Sequence, residues 1–243
     1  MEYTIYIRQT IESFFKELSK PVLVIKHYNI QQPTESDLLQ LLPVDTATFY
    51  MYHEYQPDFL YEAYEPFLDW IRLFYINFYQ NHMSLDTFLQ TCQVYSLHRE
   101  IFSSYITTGR CVRTEEIMYT ELNFERKNFF QDIIQIFTYI ASEHKLVLIL
   151  SAFHRAPLSS VTLLMEILKK KIANLHFILI YNDAYYPKPY IEETWNALFS
   201  HIQRNTIPLE LDTFKSDTIM HSSKDYVFDT NHILQNITRF YNM

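Results

Sequence analysis

The sequence predicts an α/β protein, a three-layer α/β/α sandwich built on a mostly parallel sheet. Three observations carry this. Short apolar runs rich in β-branched residues, such as VLVIK, LVLIL and HFILIY, read as strands buried on both faces. Segments with helical spacing of apolar residues lie between them. The order runs α, β, α, β, several helices, then β, α, β, α, β, α, which covers both faces of one sheet with helices.

The elements follow in chain order. Residues 3–19 place Ile7, Ile11, Phe14, Phe15 and Leu18 at helical intervals, and Pro21 ends that helix. PVLVIKHY then reads as the first strand, and residues 29–34 (NIQQPT) as a loop. Thr34 or Ser36 is the expected cap of a short helix ending near Leu42. Residues 47–52 read as the second strand. From Pro66 to about 82 the period is helical and densely aromatic. Further helices are expected at 84–107, 114–119 and 124–143, the last with an apolar stripe of Phe129, Ile133, Ile136, Phe137 and Ile140. The remaining strands are 146–150, 175–181 and 206–211. Helices 159–172, 190–203 and about 230–241 separate and follow them. The helical stretch of about 58–143 is an insertion between the second and third strands. One α/β domain therefore spans 1–215, with a C-terminal helical segment at 216–243.

Composition excludes several function classes. The formal net charge of -8 opposes non-specific binding to nucleic acid or anionic membrane, both polyanions. Lys169-Lys170-Lys171 is the single basic run, and a solvated helix face accounts for it. No window of about 18 uncharged apolar residues exists, so no membrane span is expected. The N-terminus lacks a signal-peptide pattern. Cys92 and Cys111 form no CxxC pair and fit free thiols in a reducing, cytoplasmic setting.

The most informative number is a single glycine, Gly109, in the turn-like TTGRC. A chain this long would hold roughly 17 at average usage. Phosphate-binding loops need glycine because backbone N–H groups must approach the phosphates closely, often at positive φ. Composition alone therefore excludes a glycine-built phosphate cradle.

Residues 146–164, LVLILSAFHRAPLSSVTLL, are similar to the Walker B region of the STAND and AAA-type P-loop ATPase domains of bacterial signalling regulators. In that pattern an apolar strand leads into Asp-Asp, then an apolar residue, His-Trp, Ala, Asp-Pro, Ser-Ser and Leu-x-x-Leu-Leu. Phe153, His154, Ala156, Ser159, Ser160, Leu163 and Leu164 keep it without a gap. Pro21–Ile25 resembles the strand before a P-loop. Residues 61–71 (YEAYEPFLDWI) resemble the family's YAPF stretch, 175–183 its sensor strand, and 206–214 the strand after that.

The departures bear on function. Ser151 and Ala152 stand where the family has the two acids that manage magnesium and water. The P-loop pattern G-x-x-x-x-G-K-[ST] is missing from KHYNIQQPTESDLL, and Glu35 there would repel a triphosphate. Asn182 replaces the sensor Arg. The resemblance implies a catalytically inactive ATPase-like domain at the N-terminal end of a longer bacterial regulator. TPR repeats and a helix-turn-helix or GGDEF-like output domain would follow it, and no cofactor is expected. The alternative is a nucleotide-binding domain with a rebuilt, non-Walker site.

Ligands of open α/β folds bind at the carboxyl ends of parallel strands. Lys26, His27, His154, Arg155 and Asn182 are therefore the candidates for a remnant pocket. The competing reading makes His154 a loop-capping residue and Arg155 a solvated one. Ser159 or Ser160 is expected to cap helix 159–172, because no G-x-S-x-G elbow points to a nucleophile. The ten histidines show no HExxH or CxxC…HxxxH spacing, so no metal site is expected. The aromatic stretch 50–79 has two open readings, core packing of the helical insertion or a surface for a protein partner or homo-oligomer.

Overall fold

The computed structural model describes residues 11–15, 21–27, 42, 47–56, 64–109, 123–182, 192–203 and 206–211. The expected helices at 34–42, 114–119 and 230–241 and the segment 216–243 lie outside these. The chain divides into two units. The first comprises Met1–Asp58, Leu146–Ala156 and His176–Met243; the second comprises Phe59–Lys145 and Pro157–Leu175. The division places the expected insertion in a unit of its own, together with the helix that follows the third strand.

The first unit is α/β. Its sheet has five strands: β1 (Val22–His27), β2 (Thr48–Glu54), β3 (Lys145–Ser151), β4 (Leu175–Asn182) and β5 (Thr206–Leu211). They lie in the order β2-β3-β4-β1-β5. β1 runs parallel to both neighbours, with Val22 opposite Phe177 on β4 and Thr206 on β5. The strands are those the apolar runs predict: β3 and β4 run one or two residues longer, β1 is shorter at both ends, β2 is shifted toward its carboxyl end, and β5 keeps its predicted bounds. From Leu146 to Leu150, β3 is buried at every position, as a central parallel strand must be.

Side chains alternate between the sheet's two faces. One face carries Leu23, Ile25, Val147, Ile149, Ile178 and Ile180, which pack with Ile11 and Phe14 from the helical residues 11–15 and with Leu42. On the other face Tyr181 meets Trp195 and Phe199 of the helix Glu192–Gln203, with ring centroids 6.1 and 5.1 Å apart. Helical residues therefore cover both faces of this sheet, an arrangement compatible with the expected sandwich.

The second unit is helical: α1 (Phe67–Phe74), a π-helical turn (Tyr75–Tyr79), α2 (Leu85–Thr91), α3 (Ser96–Thr108), α4 (Asn123–Glu143) and α5 (Leu158–Lys170). The helix of the first unit, Glu192–Gln203, is α6. The stripe predicted on α4 is buried: Phe129, Ile133, Ile136, Phe137 and Ile140 are all 0 % exposed. Gly109 ends α3 at φ 71°, the left-handed position that glycine takes without strain, and its N–H donates to Tyr105 O at 2.7 Å.

Two expectations need correction. The single helix at 84–107 is two helices, α2 and α3, with a break at 92–95 where Gln93 takes φ 59°. No glycine or proline marks the break, because α4 imposes it. Asp132 Oδ1 accepts the Tyr95 N–H at 3.0 Å, and Asp132 Oδ2 lies 2.5 Å from His98 Nδ1. One turn along α4, the Gln135 amide, oriented with its nitrogen toward the facing acceptors, donates to the carbonyls of Cys92 and Gln93 at 2.9 and 3.1 Å. Two residues of α4 thus satisfy the end of α2 and the start of α3. Neither Ser159 nor Ser160 is the N-cap of α5. Pro157 holds that position, and the helix starts at Leu158 without a side-chain cap. In the stretch 50–79, Tyr55, Tyr64, Phe67, Trp70, Phe74 and Tyr79 are buried, while Tyr50, Tyr52 and Phe78 are half-buried.

Replacing Asp132 by Ala removes the acceptor of the Tyr95 N–H and the partner of the buried His98 ring. A loss of about 2–4 kcal/mol is expected in urea unfolding at pH 7, with a smaller loss for Asp132→Asn. An Ala variant within about 0.5 kcal/mol of wild type would show that α4 does not set the break.

Candidate functional site

The strand order singles out one end of the sheet. The chain leaves β1 toward β2, at one edge, and leaves β4 toward β5, at the other. Adjacent strands whose connections depart in opposite directions open a gap at their carboxyl ends, where ligands of open α/β sheets sit. The packing agrees. Leu42, from the β1–β2 connection, lies on one face of the sheet, and α6, from the β4–β5 connection, lies on the other. Right-handed crossovers in opposite directions require this.

The five sequence candidates gather at this end of the sheet. Lys26 and His27 are the last two residues of β1, in register with Tyr181 and Asn182 of β4. Asn182, 3 % exposed, ends β4. His154 lies in a 3-10 turn, Phe153–Arg155, after β3 and is 8 % exposed. The Asn182 backbone N–H donates to His154 Nδ1 at 3.3 Å. A nitrogen that accepts must hold a lone pair, so His154 is neutral with its proton on Nε2. His154 thus ties the ends of β3 and β4, which is the loop-capping role. Arg155 is half-buried, and its backbone N–H donates to Ala152 O at 2.8 Å.

Ser151 and Ala152, at the positions of the family's acids, are each 0 % exposed. Ser151 ends β3, and its carbonyl accepts the Tyr55 N–H at 3.1 Å, which joins the ends of β2 and β3. Ala152 adopts the left-handed conformation, φ 49°. Phe153, also 0 % exposed, stacks on Trp195 with centroids 5.3 Å apart at 25°. Its other neighbour is Tyr55, at 6.2 Å and wholly buried. A carboxylate at 151 or 152 would thus be taken into the interior, where an unpaired charge is strongly disfavoured.

Sequence reasoning missed Tyr55, Phe153 and Trp195 as the residues that shape this end of the sheet. The spacing carries no signal for it, since the three come from separate elements. Among the described residues no group of three or more His, Cys, Asp and Glu side chains is placed to hold a metal ion. None of their helices is long and apolar enough to cross a membrane. The basic run is solvated, as expected: Lys169, Lys170 and Lys171 are exposed at the end of α5, and Lys169 Nζ lies 2.6 Å from Glu166 Oε1. The thiol of Cys92 is buried, and desolvation with the nearby Glu143 charge pushes it up to about 12. Comparison of the chain with family models, curated proteins and solved structures gives no match.

His53, beside Tyr55 at the end of β2 with ring centroids 4.6 Å apart, has its pKa lowered by burial from 6.5 to about 4. The unfolded chain binds a proton between these values and the folded chain does not. Stability is therefore full above pH 6.5 and falls as the pH drops toward 4, by up to about 3 kcal/mol. Chemical unfolding at stepped pH measures this slope. His53→Gln should flatten it, and an unchanged slope would show that other groups are responsible.

Proposed function

We propose that this chain is a STAND/AAA-like ATPase domain without hydrolytic chemistry, used as a sensing or protein-interaction module of a bacterial signal-transduction or transcription regulator. One observation carries the reading. The two positions at which the family keeps its acids, Ser151 and Ala152, are uncharged and wholly interior in this protein. The single glycine, far from β1 in sequence, adds to it, since β1 leads into no glycine-built loop. So does Asn182, which ends the sensor-like strand β4 with its backbone bonded to His154. Hydrolysis needs holders for magnesium and for the attacking water, and neither of these positions supplies one.

The partners are proteins or further domains of the same regulator, of the TPR, helix-turn-helix or GGDEF-like kinds. Signalling would work through different affinities of a partner for two conformations of the domain, which needs no hydrolysis. The carboxyl ends of β1 and β4 are the remaining place for a small ligand. The second reading, a nucleotide site rebuilt around Lys26, His27, His154, Arg155 and Asn182, rests on the topology at that end alone.

A thermal shift with ATP and ADP at millimolar concentration, with and without magnesium, separates the two. No shift is expected with any nucleotide. Ligand at about a hundred times its dissociation constant would add roughly 2.7 kcal/mol and move the midpoint by a few degrees. A magnesium-independent shift would favour the rebuilt site. A magnesium-dependent shift would overturn the proposal.

A further inference from the structure

Two stretches of the sequence that meet in the helical unit have so far been assigned no role. Ser159 and Ser160 stand in the first turn of α5, where hydroxyls usually serve the helix's own start. Here both are engaged 95 residues away. The Tyr64 N–H donates to Ser159 Oγ at 3.4 Å, and Ser160 Oγ donates to Glu65 O at 2.5 Å. Ser160 is 0 % exposed. Helix α1 also starts without a side-chain cap, on Pro66. Its first turn hangs on the same segment: Tyr64 O accepts from Phe67 N at 2.9 Å and Leu68 N at 3.4 Å, and Pro66 O accepts from Trp70 N at 3.0 Å.

Tyr64 is strained. Its φ is 69°, in the left-handed region that a bulky residue enters only when its surroundings hold it there. The surroundings do so in two ways. The ring is locked between Phe129 and Phe130 of α4, at 5.3 and 5.5 Å. The backbone on either side is held by the two serines.

We propose that residues 64–66 are a strained turn latched by Ser159 and Ser160, and that this turn opens together with the first turn of α1 before the rest of the helical unit unfolds. Stored backbone strain lowers the cost of local opening, and a latch made of two hydroxyls is the element that opposes it. The latch gives the helical unit a second conformation without disturbing α4. This inference does not rest on the ATPase-like reading.

Native-state hydrogen exchange of the whole chain in low urea tests it. The amides of Phe67, Leu68 and Trp70 are compared with those of Ile133, Ile136 and Ile140 in α4. The first set should exchange through an opening with the weaker urea dependence. Ser160→Ala leaves the Glu65 carbonyl without this donor and should speed their exchange by about 10- to 100-fold, with α4 unchanged. Equal urea dependence in both sets, or equal acceleration of both by the substitution, would overturn the latch. If Ser160→Ala does not fold, the wild-type urea dependence decides, and Ser159→Ala, which removes the longer bond, serves as the milder variant.

Discussion

The carboxyl end of the sheet depends on one constraint, the joining of strand ends whose polar groups lie away from water. Tyr55 N–H closes on Ser151 O between β2 and β3, and Asn182 N–H closes on His154 between β4 and the turn after β3. Buried backbone groups need such partners. Once these two bonds are made, the loop after β3 must turn inward. Phe153 then reaches Trp195 and Tyr55, and Ser151 and Ala152 become interior. A loop that faces inward cannot also present charge to a phosphate. The chemistry of this edge therefore follows from its packing.

The helical unit applies the same logic in other places. Several of its helix ends are satisfied from across the unit, beside local ones such as Ser84, which accepts the Thr87 N–H at the start of α2. Asp132 and Gln135 serve α2 and α3, and two serines of α5 serve the segment that starts α1. Polar groups placed in this way fix which helices lie together, while the buried rings of α1, the π-helical turn and α4 fill the interior between them. The Tyr79 hydroxyl, donating to Glu143 Oε2 at 2.7 Å, ties the π-helical turn to the end of α4 in the same manner.

The strands were legible because a parallel strand buried on both faces must be apolar at nearly every position. LVLIL and HFILIY carry that signature, and β5 begins and ends where the sequence places it. The stripe of α4 was legible for a similar reason. The break at 92–95 was not, because the residues that impose it, Asp132 and Gln135, lie some forty positions away. The hydroxyls of Ser159 and Ser160 misled local reasoning, since a serine near a helix start is ordinarily its cap. At the candidate site, the five residues expected there share one end of the sheet through strand register and the turn after β3. The aromatic cluster of Tyr55, Phe153 and Trp195 is assembled from three elements and leaves no local pattern.

The most direct test is to put a carboxylate back. Ser151→Asp restores one acid of the ATPase pattern, and both phosphate release from ATP with magnesium and the unfolding midpoint would be measured. With an interior at this position, the variant loses several kcal/mol of stability and releases no phosphate above buffer. A variant as stable as wild type that hydrolyses ATP would contradict this, and would mean that the end of β3 opens onto a working site.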